Sequence, residues 1–197
     1  LYWTIIFPKN LFDLNTFQLF SNTIYLVFLS SIVWVVFSFI SNYGNRVTKS
    51  KFLNFLITFS ITGYAIPGVI LAVAFITFIA WFDNTFVKAF EFNSIKKIFI
   101  GSIFGLVIVY FIRFYSLAYN GLKTGYERIN RSIDESSYLL GYSKIKTFLG
   151  IHVPYLKNSV FLIGILITIE VIKELPITLI LRPFNFETFA TTAYIFA

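Results

Sequence analysis

The sequence contains no cysteine and no methionine, and it has one histidine, His152, among 197 residues. Without thiols, no disulfide framework and no thiolate metal site can form within these residues, and one isolated imidazole does not make a zinc site. The G-x-x-x-x-G-K-[ST] pattern that holds nucleotide phosphates is also missing. We therefore expect no catalytic residue, no metal site and no cofactor in this chain.

Charged residues are scarce. They make up 13% of the chain, whereas 57% of the residues are hydrophobic and 21% are aromatic, and the mean hydropathy is +0.79. These values exceed those of ordinary soluble domains and indicate a protein that crosses a membrane several times. The net charge of +7 is spread over short intervals. We interpret it as the basic loops of the cytoplasmic side and not as a nucleic-acid surface.

Long uncharged runs define the expected crossings. No charge occurs from Leu19 to Ile40, which at about 1.5 Å per residue is enough for a hydrocarbon core of about 30 Å. In the longer uncharged run 52–82, Pro67 and Gly68 predict a break, with a short helix before it and a crossing after it. The predicted crossings are residues 19–40, 67–82, 98–120 and 158–181.

The expected domain organisation also covers the two ends of the chain. Residues 1–18 are expected to form an interfacial or preceding segment, and residues 19–197 to form one transmembrane domain. Because the chain begins without methionine and stops as a new apolar run starts after Thr191, we interpret it as a fragment with a truncated final crossing.

The basic loops predict an orientation. Loops 46–51 and 123–157 carry the clearest excess of Lys and Arg, which favours the cytoplasm for both. The loop 83–97 between them is more evenly charged and is expected outside. Arg113, inside the third crossing, either snorkels toward the headgroups or forms an ion pair within the bundle.

Residues 134–154, which we call the knuckle, are expected to form two short helices at the membrane surface. Glu135 and the two serines after it favour the first turn of a helix. Gly141 permits a reversal of the backbone, and Ser143 can cap a second helix from Lys144 to about residue 149. Gly150 and Pro154 are expected to end that second helix, and His152 to lie at the elbow.

The last complete crossing contains unusual charges. Glu170, Lys173 and Glu174 lie at spacings of three and four, so they share one helix face deep in the predicted span. Pro176 removes a hydrogen bond to the carbonyl of Ile172 and loosens the helix. Two interpretations stay open, a salt bridge that fixes helix packing and a polar lining of a translocation pathway.

The spacing within the knuckle resembles the EAA loop of ABC-transporter permeases. The matching residues are Glu135, Ser136, Ser137, Gly141, Ile151 and Pro154, and Asp134 is assigned to the coupling loop together with them. Serines replace the two alanines of the pattern, and Val153 replaces its leucine. The resemblance implies an all-α, polytopic transmembrane helical bundle of the type I ABC importer permease (MetI-like) kind. It also implies that the loop 123–157 docks on a cytoplasmic ABC ATPase dimer, which binds ATP and Mg.

A second stretch, EVIKELPITLILRPFNFETFAT at 170–191, is similar to the segment that distinguishes ferric-iron permeases, and 62–75 matches them more weakly. This resemblance implies ferric-iron import across the bacterial inner membrane, with a periplasmic substrate-binding protein and a second permease half as partners. The residues that we assign to a translocation pathway are Glu170, Lys173, Glu174, Pro176 and Arg182.

Other functions remain open. The same permease class also imports thiamine, polyamines or phosphonates. An ion-coupled secondary transporter would use Glu170 and Glu174 as proton carriers and leave the knuckle passive. A purely structural membrane subunit would need neither feature.

Overall fold

The computed structural model describes residues 14–82, 84–85 and 99–195. Within these ranges every regular element is helical and no strand occurs, which confirms the all-α prediction. The predictions for residues 1–13 and for nearly all of the loop 83–97 lie outside the described residues.

The helices take the following bounds. In chain order they are α1 (Leu14–Thr48), α2 (Lys51–Ile61), α3 (Gly68–Phe82), α4 (Ile103–Glu127), α5 (Arg131–Leu139), α6 (Lys144–Thr147), α7 (Val153–Tyr155), α8 (Lys157–Lys173), α9 (Pro176–Leu181) and α10 (Phe189–Ile195). A 3₁₀ turn, Thr62–Ala65, follows α2, and a π-helical turn, Phe148–His152, joins α6 to α7.

Polar caps and prolines explain several of these bounds. The Ser50 hydroxyl accepts a hydrogen bond from the Leu53 amide at the start of α2, and Asn130 caps α5 in the same manner through the Ser132 amide. Ile66 and Pro67 are not helical and separate the 3₁₀ turn from α3, a break that the sequence predicts. Pro176 occupies the first turn of α9, where a missing N–H costs little.

Two helices among the described residues are long and apolar enough to cross a membrane, Thr16–Thr48 and Ile103–Glu127. The total rises to four if each of two bent helix pairs forms one span: Lys51–Ala65 with Gly68–Phe82, and Lys144–Tyr155 with Lys157–Lys173. By length and composition the chain therefore has the helices of a membrane protein.

The helix bounds can be set beside the predicted crossings. α3 lies within the predicted 67–82, and its 15 residues are about 22 Å long, shorter than a hydrocarbon core of about 30 Å. Within 158–181, α8 stops at Lys173 and α9 starts at Pro176, a break that the proline predicts. α1, by contrast, extends well beyond the predicted 19–40 at both ends.

The described residues divide into two compact units. The first unit comprises those of 1–30, 67–110 and 170–197, and the second comprises 31–66 and 111–169. In the first unit α3 packs on α9. There, the Phe189 amide donates to the Thr23 hydroxyl at 3.2 Å and the Asn22 amide donates to the Glu187 carbonyl at 3.0 Å.

The second unit has an aromatic core. Ile57, Tyr115 and Tyr119 are buried together, and the Tyr115 hydroxyl donates to Ser41 at 2.6 Å. Gly63 is required at its position, because an added Cβ would lie 2.1 Å from the Ile112 carbonyl oxygen. This close approach brings the end of α2 against α4.

Candidate functional site: the knuckle and the charged segment 170–187

The knuckle consists of α5 from Asp134 onward, a tight turn, and the helical stretch 144–154. α5 starts earlier than the sequence predicts, because Asn130 and not a residue near Glu135 caps it. Glu135 therefore lies in mid-helix and is exposed, and Asp134 occupies the first turn. A carboxylate in the first turn interacts favourably with the helix dipole.

Asp134 is buried, contrary to the expected polar surface. It retains 9% of its accessible surface, and its two carboxylate oxygens bind different partners. Oδ2 accepts from Nε of Arg46 at 2.6 Å, and Oδ1 lies 2.8 Å from Nε2 of His152. One carboxylate thus ties α5 both to the end of α1 and to the elbow of the knuckle.

Arg46 extends this network to the backbone. Its terminal nitrogens donate to the carbonyl oxygens of Tyr126 at 3.3 Å, Ile129 at 2.9 Å and Asn130 at 3.2 Å. These carbonyls lie where α4 ends and α5 begins, and a helix end leaves such oxygens without intrahelical partners. The guanidinium therefore fixes the path of the chain into the knuckle.

His152 is fully buried and stacks on Tyr126, with ring centroids 5.4 Å apart. Its Nδ1 has no hydrogen-bond partner among the described residues, so the neutral tautomer with the proton on Nε2, donated to Asp134, satisfies the site best. Burial lowers the pKa of His152, and the nearby Asp134 carboxylate opposes this shift without cancelling it. The imidazole is thus a structural donor, and it lies in the π-helical turn that leads into α7.

A glycine and several hydrogen bonds fix the turn and the second helix of the knuckle. Gly141 has a φ of +83°, which a residue with a Cβ would resist, as the sequence predicts. The hydroxyls of Ser137 and Thr147 hydrogen-bond to each other across the turn, and Ser143 caps α6. The Tyr43 hydroxyl donates to the Lys144 carbonyl at 2.6 Å, which ties α6 to α1.

Gly150 and Pro154 do not end the second helix, contrary to the prediction. The chain stays helical through the π-helical turn and into α7, where Pro154 lies in the first turn. In the π-helical turn the Val153 amide donates to the Phe148 carbonyl, five residues earlier. A proline at the start of a helix loses no intrahelical bond, so its ring is accommodated.

The knuckle exposes several large apolar side chains. Large exposed fractions occur at Leu139 (90%), Leu140 (77%), Ile145 (71%) and Leu149 (60%). A cleft of about 500 Å³ lies beside them, with Ser136 and Ile151 in its lining. Exposed apolar side chains such as these are available to contact a partner.

The charged segment of the first unit is arranged differently. Lys173 pairs with Glu170 at 2.6 Å, on the i, i+3 spacing that the sequence predicts, and 61% of the Lys173 side chain is exposed. Glu174 is buried, and its Oε1 accepts from the Ile177 amide at 3.4 Å. The helix breaks between Lys173 and Pro176, as expected from the proline.

Arg182, the last predicted pathway residue, has a separate partner. It forms an ion pair with Glu187 in the connection between α9 and α10, and the Thr191 hydroxyl donates to the same carboxylate at 2.9 Å. The hydrogen bond from Arg182 lowers the pKa of Glu187. No group of His, Cys, Asp and Glu that can hold a metal occurs among the described residues.

Sequence reasoning missed the partners of Asp134. Arg46 lies 88 residues away from it and His152 lies 18 residues away, so no local spacing signals the network. The one available signal was the shared basic character of loops 46–51 and 123–157, which predicts that both face the same side of the membrane. Arg113, for its part, donates to the Ile66 carbonyl at 2.8 Å, beside the Pro67 break.

No family model matches this chain, and no curated protein matches it in sequence. The function is therefore argued from the geometry of the knuckle and from the charged segment.

Proposed function

We propose that this chain is a permease subunit of an ATP-driven ABC importer, with a MetI-like fold, in the bacterial inner membrane. In this proposal the knuckle docks on a cytoplasmic ABC ATPase dimer that supplies the energy. One observation carries the proposal: an exposed apolar surface stands on a base that is fixed by buried ionic hydrogen bonds.

The base suits a part that transmits force. Asp134, Arg46 and His152 join α5, the end of α1 and the elbow through hydrogen bonds of 2.6 Å and 2.8 Å. Charge-assisted hydrogen bonds of this kind are short and strong, and a rigid body passes a displacement on instead of absorbing it. Closure of the ATPase would therefore move the helices to which the knuckle is tied.

The apolar surface suits a partner. Leu139 and Leu140 end α5 with their side chains almost fully exposed, although leucine gains about 25 cal/mol per Å² from burial. The two side chains project beside the Gly141 turn. We infer that they enter a cleft on the ATPase, with the exposed Glu135 in the polar rim of the contact.

The cargo is proposed to be ferric iron delivered by a periplasmic substrate-binding protein. The support is the similarity of residues 170–191 to ferric-iron permeases, together with the carboxylates of Glu170 and Glu174. Thiamine, polyamines and phosphonates are the alternative cargoes of the same class. A second permease half would complete the pathway.

An ion-coupled secondary transporter is the second candidate, because one observation favours it. Glu174 is buried beside the helix break, and a buried carboxylate within a membrane-spanning region is a recurrent proton carrier. In that case transport would follow a proton gradient in vesicles without ATP, whereas the importer would be inactive there.

The docking proposal is tested by cross-linking. Because the chain has no cysteine, a single Leu139→Cys substitution gives one reactive thiol at the centre of the apolar surface. In membranes containing the ATPase, a reagent that couples this thiol to lysine amines of the ATPase should join the two chains, and Phe52→Cys, at an exposed position on α2, should give no product. Equal cross-linking by both variants, or none by Leu139→Cys, would contradict the proposal.

A double substitution tests the same surface without a reagent. Leu139→Ser with Ile145→Ser should sharply reduce the amount of ATPase that co-purifies with the chain while leaving membrane insertion intact. The matched control is Phe52→Ser with Phe55→Ser, which also removes two exposed apolar side chains. Unchanged co-purification in the first variant would refute the assignment.

A further inference from the structure

A cavity of about 600 Å³ in the second unit has an unusual charge. It lies between the end of α1 and the stretch that joins α4 to α5, and its lining includes Asn42, Lys123, Glu127, Arg128 and Arg131. Three cationic side chains thus face one space that contains a single exposed carboxylate. A cavity of this size accommodates a small molecule or a lipid headgroup.

These three cations are uncompensated. Among the described residues the side chains of Lys123, Arg128 and Arg131 form no ion pair and no hydrogen bond, and all three are exposed. Arg46 also lines the cavity, but its charge is already matched by Asp134. The cavity therefore has a net positive charge that an anion would neutralise.

An apolar groove adjoins this cavity at Arg128. The groove has a volume of about 300 Å³ between α4 and α8, and Leu117, Leu162 and Leu166 line it together with Gly121. Arg128 lines both spaces. A guanidinium at the boundary between a basic cavity and an apolar groove matches a molecule that is anionic at one end and apolar at the other.

The two helices cannot close this groove. α4 already approaches α8 as near as glycine allows, since a Cβ on Gly121 would lie 2.6 Å from Cγ1 of Ile163 and one on Gly125 would lie 2.7 Å from Cδ2 of Leu156. Leu162 and Leu166, in contrast, are exposed. The groove beside the contact is thus a fixed feature that an acyl chain can fill.

We propose that this cavity and groove bind one anionic phospholipid. The phosphate interacts with Lys123, Arg128 and Arg131, and one acyl chain lies along Leu117, Leu162 and Leu166. Basic cavities between membrane helices recognise anionic headgroups in this manner. The site does not depend on the proposed coupling to an ATPase, because none of these contacts involves the exposed apolar surface of the knuckle.

The test uses the full chain, delipidated in detergent, and native mass spectrometry with added phosphatidylglycerol. Replacing Lys123, Arg128 and Arg131 with Gln should weaken lipid binding by about 10- to 100-fold, since each basic residue near a headgroup contributes on the order of 1 kcal/mol. The control replaces Lys49, Lys51 and Lys157 with Gln. These lysines are also exposed and line neither space, so binding should be unchanged.

A second pair of variants tests the groove. Thr124→Phe places a ring in the groove and should displace the acyl chain, reducing binding at least about tenfold. Thr58→Phe is the matched control, because both threonines are exposed and both hydroxyls donate to the carbonyl four residues earlier. Both variants should keep the helical circular dichroism of the unmodified chain.

Two further ligands identify the source of the phosphate. Phosphatidylcholine should bind at least about tenfold more weakly than phosphatidylglycerol, and inorganic phosphate at millimolar concentration should not displace the lipid. Equal binding of the two lipids would overturn the proposal, as would loss of binding in both triple variants. Displacement by inorganic phosphate would show a phosphate site without an acyl chain and would also overturn it.

Discussion

The ion pairs of the two units differ in their burial. In the second unit Asp134 is buried and binds two partners, whereas in the first unit the pairs of Lys173 with Glu170 and of Arg182 with Glu187 retain substantial exposure. Breaking a buried pair leaves an uncompensated charge, but breaking an exposed pair returns both groups to solvent. The comparison therefore separates charges that hold the structure from charges that are available for function.

The largest effect should follow the loss of the Asp134 carboxylate. Asp134→Asn leaves the Arg46 side chain, which is only 12% exposed, without its counter-charge, and this should cost up to about 3–5 kcal/mol of the free energy of unfolding. Thermal unfolding in detergent measures the change, and limited proteolysis should show cleavage within the knuckle. The neighbouring exposed carboxylate provides the control, so Glu135→Gln should change stability by less than about 0.5 kcal/mol. Equal losses of stability in Asp134→Asn and Glu135→Gln would contradict the distinction between buried and exposed charges.

The next effect concerns His152 and depends on pH. Because its folded-state pKa lies below the ordinary 6.5, the unfolded chain takes up the proton first, so stability is complete above that pH and falls as the pH drops below it. His152→Gln should remove this component of the pH dependence and cost about 1 kcal/mol near neutral pH. The loss is smaller than for Asp134→Asn, because the carboxylate keeps Arg46. Melting curves of both forms between pH 5 and pH 8 test this prediction, because that range covers about three pH units around the ordinary pKa of histidine. An unchanged slope in the variant would refute the assignment.

A smaller effect is expected at Glu187. Its pKa is lowered by Arg182, so the pair contributes stability above the ordinary value of 4.5 and loses it as the pH falls through the folded-state pKa. The carboxylate is more than one-third exposed, so Glu187→Gln should cost at most about 1 kcal/mol, and salt should reduce the difference. If Glu187→Gln destabilised the protein as much as Asp134→Asn, side-chain exposure would not explain a difference between the ion pairs of the two units.

The smallest effect on stability should occur at Lys173. Since most of its side chain is exposed, Lys173→Gln should change the free energy of unfolding by no more than about 0.5 kcal/mol. Transport is the informative readout, because a pathway residue would lower the uptake of labelled ferric iron while stability stays constant. Lys157→Gln, at an exposed position at the start of α8, is the control and should leave uptake unchanged. Normal uptake in Lys173→Gln would favour a packing role.

Local chemistry was readable from the sequence. The reversal at Gly141, the cap at Ser143, the break at Pro67 and the pair of Glu170 with Lys173 all depend on residues within a few positions of one another. The burial of Asp134 was not predictable, because its partners come from distant parts of the chain. Pro154 was misjudged for another reason: proline ends a helix only when its position is interior, and here it lies in a first turn.

The π-helical turn at Phe148–His152 has one more consequence. Such a turn amounts to one residue inserted into a regular helix, and each residue advances a regular helix by about 100°. Because the wider turn absorbs this residue, deleting Gly150 should convert the turn to regular helix and leave the later side chains near their present orientation. A deletion within the regular part of α8 has no such outlet and would rotate every later side chain by about 100°, so a one-residue deletion should be tolerated better at Gly150 than within α8.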